Sequence, residues 1–116
     1  MKRAAIVAAV ATGAVLALTA GPPQGKELFD RRCGGCHALN RDKEGPRLGG
    51  VYGRAAASGA SFSYSEALRR SGLTWDDETL DRWLADSEKL VPETDMPVRV
   101  ESSADRAAII AYLKNH

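Results

Sequence analysis

The chain has 116 residues, with 16 Lys and Arg against 15 Asp and Glu and only two cysteines, which is room for a single domain. A balance this close to neutral, without a basic stripe or a basic helix, excludes a nucleic-acid binder. A domain of this size buries only about 60–65% of the surface its unfolded chain exposes, so a covalent staple is of use to it.

Met1-Lys2-Arg3 is a short basic head, and Ala4 to Leu18 is an apolar run without a charge. Small residues follow, with Ala17 and Ala20 each placed to precede a cut, as in a secretory signal peptide. A cut after Ala17 has Val15 three positions back and fits better than a cut after Ala20, which has the larger Leu18 there. The run is shorter than the ~20 residues of a membrane span, so removal is expected rather than retention as an anchor. The expected organisation is a signal peptide over 1–20 and one domain over 21–116, exported to a bacterial periplasm. Loss of Lys2 and Arg3 without any acid leaves 14 Lys and Arg against 15 Asp and Glu, a formal charge of −1.

Gly21 to Gly25 is a polar lead-in. Lys26 to Cys33 reads as a first helix with Leu28, Phe29 and Cys33 on one side. Glycine, proline and charge make Ala38 to Gly53 a loop. Ser65 to Arg70 reads as a short helix stopped by Gly72. Thr74 reads as the N-cap of the next, with Asp76, Asp77 and Glu78 in a first turn whose dipole favours anions. The apolar stripe of that helix is Leu80, Trp83 and Leu84. Val91 to Val100 holds Pro92 and Pro97 and is irregular. Ser102 or Ser103 caps a last helix whose inner face is Ile109, Ile110, Tyr112 and Leu113. Nothing alternates as a strand does. The fold class is all-α.

Cys33-Gly34-Gly35-Cys36-His37 is the C-x-x-C-H pattern of c-type haem attachment. Thiols at this spacing reach the two vinyl groups on one porphyrin edge, and the following histidine is held beneath the iron. Gly34 and Gly35 remove side chains where backbone and ring come close. Three other readings compete. A thioredoxin-like pair needs a βαβ context that is absent. Structural zinc needs four ligands, and beyond Cys33, Cys36 and His37 only the terminal His116 is available. A disulfide across so short a loop gains little entropy. The sixth position on a haem iron can be open or filled by Met, His or another group. With Met1 removed, Met96 is the one methionine left, and Pro92 and Pro97 bracket it in a fixed loop. His116, at a free terminus, is poorly held.

With these residues in order, the chain resembles the class I cytochrome c family, of the mitochondrial and bacterial soluble monohaem type. The resemblance runs from about Gly25 to Lys114. Gly45-Pro46-Arg47-Leu48-Gly49-Gly50-Val51-Tyr52-Gly53-Arg54 is similar to the family's G-P-x-L-x-G-x-x-G-R loop. Phe62-Ser63-Tyr64-Ser65, Gly72-Leu73-Thr74-Trp75, the Val91 to Met96 loop and Ile109 to Lys114 follow in the family's order. The resemblance implies the cytochrome c fold, several helices wrapped around one covalently attached haem c. It implies Cys33 and Cys36 as attachment points and His37 and Met96 as iron ligands. It also implies that the Pro46 carbonyl orients His37, and that Arg54, Tyr64 and Trp75 hold a propionate. Thr94 would hydrogen-bond near the methionine loop, and Trp83 would lie beside the methionine. Gly25, Phe29, Ile109 and Tyr112 would form a crossing of the first and last helices.

Leu68 and Trp83 depart from the asparagine and tyrosine usual in mitochondrial proteins, removing polar groups from the sixth-ligand side. Glu88, Glu93 and Asp95 stand where lysine or glycine is common. The expected function is a periplasmic single-electron carrier with His/Met ligation, not an enzyme. The alternative is a haem subunit or dedicated electron acceptor of one dehydrogenase. Expected partners are redox proteins such as a quinol–cytochrome c reductase, terminal oxidase or dehydrogenase. No nucleic acid is among them, and a membrane is met only through those partners unless the signal is retained. The protein is expected to be monomeric.

Overall fold

The computed structural model describes residues 3–13 and 24–116; the expected cleavage positions at Ala17 and Ala20 lie outside the described residues. Between residues 3 and 13 there is no regular structure, and Ile6, Val7 and Val10 are exposed. Five helices follow: α1 Gly25–Arg32, α2 Glu66–Arg70, α3 Asp77–Ala85, α4 Ser87–Leu90 and α5 Ser103–Lys114. Among the described residues there is no strand, only one isolated antiparallel bridge between Ala55 and Thr74. None of these helices is long and apolar enough to cross a membrane.

That bridge corrects the expected start of α3. Residues 73–75 are tied to the 53–56 turn by bonds from Ala56 N to the Leu73 carbonyl, 2.8 Å, and from Trp75 N to the Arg54 carbonyl, 2.9 Å. Thr74 is therefore held extended, and the helix cannot begin until Asp76. Asp76 accepts from Thr79 N at 2.9 Å, while its own amide donates to Thr79 Oγ1 at 2.9 Å, a reciprocal capping box. Thr74 contributes its carbonyl instead, accepting from Thr79 Oγ1 at 2.6 Å. At the other end Asp86 breaks the helix with extended backbone and at once caps α4, accepting from Lys89 N at 3.2 Å. Ser102, not Ser103, caps α5 through a bond from Asp105 N.

The core forms where α1 and α3 both pack on α5. Leu28, Phe29, Leu80, Leu84, Ile109 and Leu113 are buried together, and the Phe29 and Tyr112 rings meet at 5.3 Å between centroids. Gly25 sits at the helix crossing: a Cβ there would lie 2.8 Å from Tyr112 Cβ and closer still to the Ala108 carbonyl. The expected crossing of first and last helices is thus formed by the named residues. Arg106 fastens α5 to α3, donating to Asp81 Oδ1 at 2.7 Å, to the Val100 carbonyl at 2.8 Å and to the Glu101 carbonyl at 3.0 Å. Helix α3, α5 and the segment before α5 are joined through that one guanidinium.

A methyl group at the crossing has nowhere to go without parting α1 from α5. Gly25→Ala should cost about 1–3 kcal/mol and lower the thermal midpoint by about 4–8 °C for each kcal/mol lost. Calorimetry showing an unchanged midpoint would mean that the helices cross elsewhere.

Candidate cofactor site

Helix α1 ends in a series of tight turns. Cys33 N and Gly34 N both donate to the Phe29 carbonyl, and Cys36 N and His37 N both donate to the Cys33 carbonyl. This winding brings both thiols and the imidazole to one cavity. Lys43 Nζ donates to the Gly34 carbonyl at 2.8 Å, satisfying an acceptor that the helix end leaves unpaired. A Cβ at Gly34 would press on the Asp30 carbonyl, whereas one at Gly35 would meet no protein atom within 4 Å. The helix end therefore has its own need for glycine at position 34. The two thiols are unpaired; Cys36 is exposed, and burial pushes the half-buried Cys33 thiol up. Among the described residues no group of three or more His, Cys, Asp or Glu is placed to hold a metal ion, so the zinc reading finds no ligand set.

His37 is buried, and its Nδ1 donates to the Pro46 carbonyl at 2.8 Å. A neutral imidazole with a proton on Nδ1 keeps its lone pair on Nε2. No hydrogen bond reaches Nε2 among the described residues. Gly45 lies against the ring: a Cβ there would come within 2.8 Å of Nε2 and nearer to other ring atoms. The supporting loop is pinned by bonds from Gly45 N to the Cys36 carbonyl, 2.8 Å, and from Leu48 N to the Ala38 carbonyl, 2.9 Å. Asp42 closes it from outside, accepting from Arg47 N at 2.9 Å and from Ser61 Oγ at 2.7 Å. Those bonds, the Arg47 amide first, hold the Asp42 carboxyl below its usual range.

His37 and Met96 line the same cavity of about 470 Å³. Leu48, Leu68, Leu80 and Leu84 make much of its wall apolar. Arg54, Tyr64 and Trp75 also line it. Among the described residues, no acceptor engages the Arg54 guanidinium, the Tyr64 hydroxyl or the Trp75 indole N–H. Trp83 stands edge-on to Trp75, ring centroids 5.3 Å apart. A roomy apolar space bordered by unengaged donors, two free thiols and one imidazole lone pair suits a flat apolar macrocycle carrying carboxylates. The residues present fit a haem. All the site residues read from the sequence, Pro46 and Thr94 included, border this one space.

The Met96 side of the cavity is built from loop. Thr94 Oγ1 accepts from Met96 N at 3.4 Å, so that side chain braces the loop itself. Ser87, the first residue of α4, has no exposed surface; its hydroxyl donates to the Met96 carbonyl at 2.6 Å and accepts from Val98 N at 2.8 Å. Sequence reading missed Ser87, because a serine opening a short helix looks like a surface cap. His116 stacks on Tyr112 at 4.4 Å between ring centroids and is exposed; it is not in the cavity lining.

The sequence model of a family described as "Cytochrome c" matches residues 23–116. Cytochrome c2 iso-2 of Magnetospirillum fulvum is 44% identical over 86 residues, 72% of this chain and 90% of that protein. Cytochrome c of Euglena viridis is 38% identical over 94 residues, 78% of this chain and 92% of that protein. Among solved structures, cytochrome cH from Methylobacterium extorquens superposes with a TM-score of 0.76 at 40% identity, covering 79% of this chain and 95% of that one.

The Asp42 contacts predict an acid-sensitive loop. A carboxyl with a depressed native pKa adds stability above the unfolded value and loses it as pH falls through the native one. The contribution should therefore be complete above about pH 5 and fade below about 4. In proton-exchange measurements the Arg47 amide should lose protection across that window. Asp42→Asn should weaken that protection at neutral pH and flatten the profile; an unaltered profile would remove Asp42 from this role.

Proposed function

This chain belongs to the cytochrome c family and carries one covalently attached haem c for electron transfer, and from that premise we propose that it is a periplasmic single-electron carrier with His37 and Met96 as axial ligands. The observation that carries this reading is the lining of one apolar cavity by the Cys33-to-His37 turn and, from a separate loop, by Met96. When bound, the haem supplies a one-electron ferric/ferrous couple.

Cys33 and Cys36 supply the thioether sulfurs. The Pro46 carbonyl keeps the proton on His37 Nδ1 and raises the basicity of the free nitrogen. Met96 would supply a thioether ligand, which favours the ferrous state relative to a second nitrogen ligand. Leu68, Leu80 and Leu84 exclude water, which disfavours the extra charge of the ferric form. Arg54, Tyr64 and Trp75 would hold the carboxylates. A carrier reorganises little when its oxidation state changes, and a site held on both sides suits that demand.

The basic head and apolar run of the first 20 residues support export, and Ile6, Val7 and Val10 lie exposed, outside the core. Partners are redox proteins, for which we infer a quinol–cytochrome c reductase, terminal oxidase or dehydrogenase meeting a monomer. Contact near exposed Cys36 would be small, weak and fast. The charges that would meet a partner are mixed. Lys43 is spent on a backbone carbonyl and Arg99 lies 3.7 Å from Asp86, while Glu88, Glu93 and Asp95 are exposed. Transfer to a strongly acidic partner should therefore depend only shallowly on ionic strength; stopped-flow rates that collapse with salt would contradict the mixed face.

Protein exported by a strain able to mature c-type cytochromes should keep its pigment through denaturing electrophoresis. Cys33→Ala and Cys36→Ala should each weaken that retention. Reduced wild type should bind almost no carbon monoxide, whereas Met96→Ala should keep the pigment and bind it close to stoichiometrically. A wild type that binds carbon monoxide as readily would end the case for Met96 as ligand.

A further inference from the structure

We propose that Ser87 is the positioning residue for Met96, a buried clamp that fixes the loop at the height the sixth ligand requires. The inference rests on the reading of Met96 as ligand and goes beyond it. Four bonds converge on Ser87. Its amide donates to the Val98 carbonyl at 3.2 Å, and its carbonyl accepts from Val91 N at 2.8 Å. Its hydroxyl donates to the Met96 carbonyl at 2.6 Å and accepts from Val98 N at 2.8 Å. The segment from Val91 to Val98 is thus gathered at both ends onto one residue. Ser87 is fully buried, and without its hydroxyl both the Met96 carbonyl and the Val98 amide lose that partner.

The other backbone bond of the loop, from Thr94 N to the Val91 carbonyl at 3.1 Å, does not reach Met96. The Met96 amide has only the long bond to Thr94 Oγ1, 3.4 Å. Glu93 holds φ +69 without being glycine, a left-handed conformation that a side chain disfavours. Pro97 fixes the backbone just after Met96 but supplies no donor. A loop strained at one point and clamped at another relaxes when the clamp is removed. The expected relaxation carries Met96 away from the position it holds against the cavity.

The test is imidazole binding to the ferric holoprotein, followed by the shift of the main haem absorption band. Ser87→Ala should raise imidazole affinity about five- to ten-fold, the change expected from losing a buried hydrogen bond next to the displaced ligand. In a Met96→Ala background the same substitution should change affinity by less than about two-fold, because the ligand it positions is already gone. An unchanged affinity in the first comparison overturns the proposal. An equal rise in both backgrounds also overturns it, since Ser87 would then only stiffen the fold. If Met96→Ala alone leaves imidazole affinity at the wild-type value, the ligand assignment fails first and takes the clamp with it. Should Ser87→Ala not accumulate folded, Ser87→Cys keeps a weaker donor and should show a smaller rise with the same dependence on Met96.

Discussion

The bond from His37 Nδ1 to the Pro46 carbonyl, 2.8 Å long, is the constraint around which this site is organised. It decides which imidazole nitrogen carries the proton, and hence which one keeps a free lone pair. A carbonyl can perform this task only if its loop does not drift. The loop has no helix or strand to hold it, so its rigidity comes from individual contacts. Gly45 lets the backbone lie flat against the ring, Lys43 ties the loop to the end of α1, and Asp42 ties it to Ser61. Each of these residues is polar or small and sits near the surface. Together they hold one buried nitrogen in place.

The opposite wall solves the same problem with different parts. His37 follows the turns that close α1, and its loop needs only to supply a carbonyl. Met96 is itself on a loop, so that loop needs a rigid anchor. That anchor is Ser87 at the start of α4, whose place is set by the break at Asp86. The two walls also differ in their strain. The first uses glycine where backbone meets ring, while the second holds Glu93 at positive φ. A loop in that condition depends on its clamps more than the His37 loop does.

The helices could be read in advance because their signals are local. The stripe of Leu80, Trp83 and Leu84 and the faces of α1 and α5 follow from spacing alone, and all but the half-buried Cys33 and Tyr112 are buried as expected. The attachment motif was legible for the same reason, since its chemistry lies within five consecutive residues. What escaped was non-local. Thr74 looked like a cap until its pairing with Ala55 showed that residues 73–75 were already committed. Ser87 has no signature, because its partners are nine and eleven positions away and its burial depends on how the Met96 loop folds back. The Asp30 carbonyl leaves no room for a Cβ at Gly34, a contact that the five-residue motif does not display.

Fold and cofactor are one problem in a domain this small. The cavity draws its wall from the end of α1, the 44–65 loops, α2, α3, the Met96 loop and α5. Leu80, Leu84, Ile109 and Leu113 belong at once to the hydrophobic core and to that wall. An apolar side chain with atoms on only one side forfeits much of its dispersion energy, so these residues pack fully only against an occupant. The helices that would otherwise hold the domain together are short, and α2 and α4 have five and four residues. Isolated helices of that length do not persist in water. An occupant of the cavity packs against these core residues, which gives covalent attachment through Cys33 and Cys36 a structural reason as well as a chemical one.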